Sequence, residues 1–152
     1  MADTSHLAKK MARLAAVQAL YQNDYALTPV AQIIRHEVEH GFPALRDDEA
    51  EAGQTPDAEL FGQIVSGVAA NQPTLNEMLT GALSANLSAS RMEKLLRMIL
   101  HAGIYELHHH GQIPAKIIIN DYVDVAHAFF NAKEPGLVNG ILDKLAGKLR
   151  AA

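Results

Sequence analysis

Apolar residues recur every three to four positions along most of the chain, the spacing of amphipathic helices rather than of strands. Leu7, Met11, Leu14, Tyr21 and Tyr25 form the first stripe. Thr28-Pro29 reads as a cap followed by a proline at the first helical position, opening a short helix that runs to about His40. Leu60, Phe61, Ile64, Val65 and Val68 form the third stripe, and a short helix follows Pro73. Met92 to Leu107 is apolar on nearly all sides, through Leu95, Leu96, Met98, Ile99, Leu100, Ala102 and Ile104. Such a helix belongs in the middle of a bundle. After Pro114, the run Ile117-Ile118-Ile119 favours a strand by β-branching alone, but it has no partner run. Val123, Val125, Ala126, Phe129 and Phe130 continue it at helical spacing, and Val138, Ile141, Leu142, Leu145 and Leu149 make the last stripe after Pro135-Gly136. The pattern predicts an all-α fold of about seven helices.

Residues 41–56 (GFPALRDDEAEAGQTP) break the pattern with Asp47, Asp48, Glu49 and Glu51, and read as a mobile acidic loop. The length of 152 residues fits one domain or two small helical halves. The chain has no Cys, which removes disulfides, Cys-ligated zinc and thiol nucleophiles. No apolar run approaches the length of a membrane span, and MADTSHLAKKMARL lacks the apolar stretch of a secretory signal, so a cytoplasmic protein is expected. Thirteen Lys+Arg against 17 Asp+Glu give a net charge of −4. That balance still permits a nucleic-acid partner, because phosphate binding needs a local basic patch, not a basic total.

Two histidine patterns suggest metal chemistry. His36-Glu37-Val38-Glu39-His40 fits the H-E-x-x-H zinc hydrolase pattern, in which two His share a helix face and the Glu activates a metal-bound water. Its position, directly before Gly41-Phe42-Pro43 and the acidic loop, favours a solvated helix face instead. His108-His109-His110, with His101 upstream, cannot converge on one ion while the helix persists, because successive residues point about 100° apart. Capping of a helix C-terminus is the favoured role. No seryl nucleophile, Walker or dinucleotide motif is present. Neither a catalytic site, a cofactor nor a metal is expected.

The first helix is more informative. His6, Lys9, Lys10 and Arg13 share one face, which becomes apolar at Val17 and Leu20. The first turns should therefore show a basic stripe to solvent while the second half enters the core. A cationic stripe beside a ring such as Tyr21 suits unpaired RNA, the charges holding phosphates and the ring stacking on a base. An ordinary solvated face is the bland alternative.

Arg13-x-x-Ala16-Val17-Gln18-Ala19-Leu20-Tyr21 resembles the opening signature of the NusB family of transcription antitermination factors. So do Leu60 through Gly67-Val68-Ala69, Ile104-Tyr105-Glu106-Leu107 with Ile113-Pro114-x-Lys116, and Ile119-Asn120-Asp121-Tyr122-Val123-Asp124-Val125-Ala126. The ending Val138-Asn139-Gly140-Ile141-Leu142-Asp143-Lys144 completes an ordered likeness from about Lys9 to Lys148. The resemblance implies two small helical subdomains, approximately 1–72 and 73–152. It implies binding of boxA-type single-stranded leader RNA of ribosomal RNA operons jointly with NusE, a ribosomal protein, and joining an elongating RNA polymerase, with no catalysis. A homodimer is compatible with it. The alternative is a NusB-like interaction or dimerisation module that binds no RNA.

Carried over by position, the family's arginine-rich motif falls on Lys9, Lys10 and Arg13, beside His6, and its RNA-facing tyrosine on Tyr21. Its second RNA segment falls on Phe129 to Leu137, with Lys133 between. Three departures stand out: the basic motif is sparse and contains Met11, His101 stands where Arg is frequent, and Leu137 replaces a commoner Phe, leaving Phe129 or Phe130 either to supply a ring or to sit in the core. Glu93 and Arg97, one turn apart, with His101, are the expected partner face. Gly67 and Gly140 are expected to permit close helix packing, and Tyr105, Glu106 and Asp143 to tie the subdomains together. Three phosphate contacts predict a log–log salt slope near −2, from about −0.7 per contact.

Overall fold

Thr4–Gln22 folds as helix α1. It is followed by α2 (Val30–Glu39), α3 (Ala58–Ala70), α4 (Gln72–Ala82), α5 (Lys94–His109), α6 (Ala115–Phe129) and α7 (Glu134–Leu149), with a 3-10 turn at Ala89–Arg91. The computed structural model describes residues 4–23, 25–42, 55–84 and 88–150, and no strand occurs among them. Ile117-Ile118-Ile119 is helical, as its spacing demands. The acidic loop expected over 41–56 falls largely on 43–54, outside the described residues. The chain divides into two compact units, Met1–Ala69 and Ala70–Ala152. No described helix is long and apolar enough to cross a membrane.

In the first unit, α1 is buried at every position from Met11 to Leu20 except Leu14. Ala12, Ala15, Ala16 and Ala19 have no exposed surface, and such short side chains let neighbours close in on all sides. The expected core stripe is therefore not the most buried face: Leu7, Leu14 and Tyr25 are only half-buried and Tyr21 is exposed. Asn23 closes the helix by donating both its backbone N–H and its Nδ2 to the Ala19 carbonyl, at 3.1 and 2.9 Å.

Pro29, not Thr28, occupies the N-cap of α2, and no side chain caps this helix end. Its carbonyl accepts from the N–H groups of Gln32 and Ile33. After His40, Gly41 and Phe42 take positive φ values of 72° and 60°. The Phe42 N–H then donates to the Glu37 carbonyl and that of Gly41 to Val38, the paired bonds of a Schellman stop. This turn buries Phe42 edge-on against Phe61 of α3, centroids 5.2 Å apart. Asp57 starts α3 by accepting the Leu60 N–H at 3.0 Å, while its own N–H donates to the Ala8 carbonyl of α1.

In the second unit, α5 packs against α4, α6 and α7. It is buried from Leu95 to Leu107 apart from Arg97 and Tyr105, which matches the all-round apolar reading. Gly103 is where α5 and α7 meet most closely: a Cβ there would lie 2.7 Å from Cδ1 of the fully buried Leu142. The close-packing role expected of Gly140 belongs to Gly103 instead, because Gly140 is exposed with nothing within 4 Å of a Cβ. Gly103→Val should therefore lose about 2–3 kcal/mol by overpacking. Gly140→Ala should gain about 0.5–1 kcal/mol from helix propensity. Urea denaturation of both variants checks the pair, and equal effects would contradict the assignment.

Candidate nucleic-acid interface

Along the basic face of α1, exposure falls with each turn. His6 is exposed, Lys9 and Lys10 are half-buried, and Arg13 has no accessible surface at all. All four, and Tyr21, take part in interactions within the protein. Contrary to expectation, Arg13 does not show its guanidinium to solvent. The alanine-rich stretch carries α1 into the interior from Met11 onward, so Arg13 is past the point where the helix submerges. A buried guanidinium must be satisfied internally, and in this conformation it is closed to a phosphate. What remains on the surface is His6, Lys9 and Lys10 at one end of α1 and Tyr21, 43% exposed, at the other.

Directly after Tyr21, Gln22 and Asn23 line a cavity with Thr28, Gln32, Ile33, His36 and Glu37. The carboxamides of Gln22 and Gln32 offer donors and acceptors there, the groups that read the edge of an unstacked base, while Asn23 Nδ2 is held by Ala19. Sequence reasoning passed over these residues, since glutamine and asparagine at a helix corner look like ordinary solvated positions.

In the second unit, around the junction of α6 and α7, Lys133 is exposed and Phe129, Phe130 and Leu137 are half-buried. Neither phenylalanine is sealed in the core. Asn139 and Gly140 are exposed on α7.

The three expected partner residues part company. Glu93 is exposed at the N-cap of α5, whereas Arg97 and His101 line a cavity of about 340 Å³ with Gln72, Pro73, Asn76 and Ala89. Arg97 Nη1 donates to the carbonyls of Ala89 and Met92, both at 3.3 Å, and so fixes the 3-10 turn. His101 is buried with neither ring nitrogen hydrogen-bonded. Burial first, and the Arg97 charge second, lower its pKa to about 4, so it is neutral at pH 7.

The histidine patterns resolve into other roles. His36 and His40 stack with ring centroids 4.5 Å apart, and His40 Nδ1 pairs with the His36 carbonyl at 2.9 Å. Glu37 turns into the interior, 5% exposed, so the H-E-x-x-H spacing presents no open ligand set. No group of three or more metal-binding side chains occurs among the described residues.

At the end of α5, His110 is buried with Nδ1 2.9 Å from Glu106 Oε1, and Tyr122 Oη donates to Glu106 Oε2 at 2.6 Å. The helix-capping role expected of the histidines is taken by Arg150. Its guanidinium donates to the carbonyls of Leu107, His110 and Ile113, with Nε 3.0 Å from Leu107 and Nη2 2.9 Å from His110. Glu106 therefore joins α5 to α6 inside the second unit, and Asp143 is exposed.

The NusB family model matches residues 10–147. The Transcription antitermination protein NusB of Sphingopyxis alaskensis is 39% identical over 142 residues, covering 93% of this chain and 94% of that protein. The protein of the same name from Bradyrhizobium sp. strain BTAi1 is 40% identical over 140 residues, covering 92% of this chain and 82% of its own. Among solved structures, antitermination factors NusB and NusE in complex with double-stranded RNA include a chain similar in fold, with a TM-score of 0.71 and 20% identity over 93% of this chain and 97% of that one. A match of this extent, with relatives at this identity, means that the chain belongs to the NusB family.

Proposed function

We propose that the protein is a transcription antitermination factor, a non-catalytic adaptor acting in the cytoplasm. It binds boxA-type single-stranded leader RNA of ribosomal RNA operons together with NusE and so joins an elongating RNA polymerase. The observation that carries this reading is the end-to-end likeness to relatives named as antitermination proteins. The RNA face on α1 consists of His6, Lys9, Lys10 and Tyr21, with Arg13 acting from within to hold the helix rather than touching phosphate. Phe129, Lys133 and Leu137 form the RNA segment of the second unit. Arg97 and His101, at their shared cavity, with Glu93 at the start of the same helix, form the NusE side.

With the buried Arg13 withdrawn, α1 offers few cations, which predicts weak binding by this protein alone and tighter binding when NusE adds contacts. Fluorescence anisotropy of a labelled boxA-like RNA, titrated with and without NusE, tests it. Binding that tightens at least about tenfold with NusE is expected, because each added 1.4 kcal/mol is worth that factor. Homodimerisation or NusE binding with no RNA affinity in either titration would establish the interaction-module alternative, which the burial of Arg13 favours.

A further inference from the structure

The far end of α5 carries side chains that neither the fold nor the proposed RNA face uses. Arg150 draws the end of α7 onto the last carbonyls of α5 and the turn into α6. Three chain segments thus converge there. On their surface the rings of Tyr105 and His109 are stacked, centroids 4.7 Å apart and 28° between planes. His108 meets His109 edge-on at 4.6 Å. His108 and His109 are exposed and make ring contacts only, since His110 alone serves Glu106 and Arg150 alone caps the helix.

Lys116, in the first turn of α6, and Lys148, in the last turn of α7, belong to the segments that converge here, and both are exposed. Neither is ion-paired among the described residues. There is no Asp or Glu between 107 and 120 or between 144 and 150, so this end is cationic in a chain whose net charge is −4. Burial and the two neighbouring imidazoles hold His109 below the ordinary histidine pKa, which favours the uncharged ring.

We infer that this end of the second unit is a further contact surface for single-stranded RNA, where an unpaired base extends the Tyr105–His109 stack and Lys116 and Lys148 hold the adjoining phosphates. It lies outside the residues assigned to RNA above and rests on the reading that the protein binds RNA at all. Lysines alone would serve any polyanion. The exposed His109 side chain, stacked on Tyr105, favours a ligand with a flat π-surface, and stacking on a base contributes independently of sequence.

The test uses the whole protein, a short labelled oligoadenylate and a boxA-like RNA. His109→Ala should weaken oligoadenylate binding about tenfold and His109→Phe should restore it, because stacking needs the ring and not the nitrogens. Lys116→Glu with Lys148→Glu should flatten the salt slope by about 1.4. If Lys9→Glu with Lys10→Glu weakens RNA binding while the His109 and Lys116/Lys148 variants do not, this surface is refuted and the adaptor reading survives. If the unaltered protein binds neither RNA, with or without NusE, both fall. Equal competition by polyglutamate, with His109→Ala as strong as the unaltered protein, would make the patch a site for acidic polypeptide and overturn the RNA assignment.

Discussion

Glu106→Ala is expected to lower the stability of the second unit by about 3–5 kcal/mol, because it removes the shared partner of two other buried groups. Glu106 has no exposed surface, and its two oxygens are engaged by Tyr122 at 2.6 Å and His110 at 2.9 Å. Tyr122 is itself fully buried. Truncation at Glu106 would strand the tyrosine hydroxyl and an imidazole nitrogen away from water while also opening a void. Two milder variants locate the cost. Tyr122→Phe deletes one donor and its packing stays, for about 1–2 kcal/mol. Glu106→Gln keeps the shape and one acceptor, and should fall between the two. Chemical denaturation followed by circular dichroism measures the order. A Glu106→Ala variant as stable as the parent would show that the network holds nothing together.

That network was hardly legible in the sequence, and the reason is sequence distance. Glu106 and Tyr122 are 16 residues apart on different helices, so no local periodicity links them. The helices themselves were legible, since their apolar spacing is local and their breaks are marked by proline. The all-round apolar α5 was read correctly as a central helix because its burial is written into its own composition.

Along α1, alanine carries the information that the large apolar residues lack. Large apolar residues place the stripe at Leu7, Leu14 and Tyr21, yet Ala12, Ala15, Ala16 and Ala19 decide which faces are covered. Arg13 was therefore put on the surface by its charge and lies inside by its neighbours. The same limit explains the glycines: Gly103 sits in a run that any apolar residue would continue, and only the position of Leu142 shows why a side chain is excluded. The candidate site was legible as residue types along α1. How much of each is exposed was not, because exposure depends on the segments that cross the helix, such as Asp57 docking at Ala8.

Charge reversal on α1 should have the largest effect on RNA binding. Lys9→Glu with Lys10→Glu removes two phosphate contacts, each worth roughly tenfold in affinity as a charge-assisted hydrogen bond. The double variant should therefore bind boxA-like RNA about a hundredfold more weakly. Arg13 is a poor choice for this test despite its place in the motif. With no accessible surface, its substitution disturbs the fold of the first unit and would weaken RNA binding for that reason alone. Lys9 and Lys10 are only half-buried, and unchanged thermal unfolding of their double variant confirms that the loss is in binding.

The salt dependence reports how many phosphate contacts α1 contributes. Two phosphate contacts from this helix give a slope near −1.4, whereas three, with Arg13 reaching outward, give about −2.1. The deciding measurement is the slope of log affinity against log salt for boxA-like RNA, taken for the parent and for Lys9→Glu with Lys10→Glu in the presence of NusE. A parent slope that flattens by about 1.4 in the variant, together with the hundredfold loss, is the predicted result. Equal slopes and equal affinities for the two proteins would contradict the claim that the open end of α1 grips the transcript.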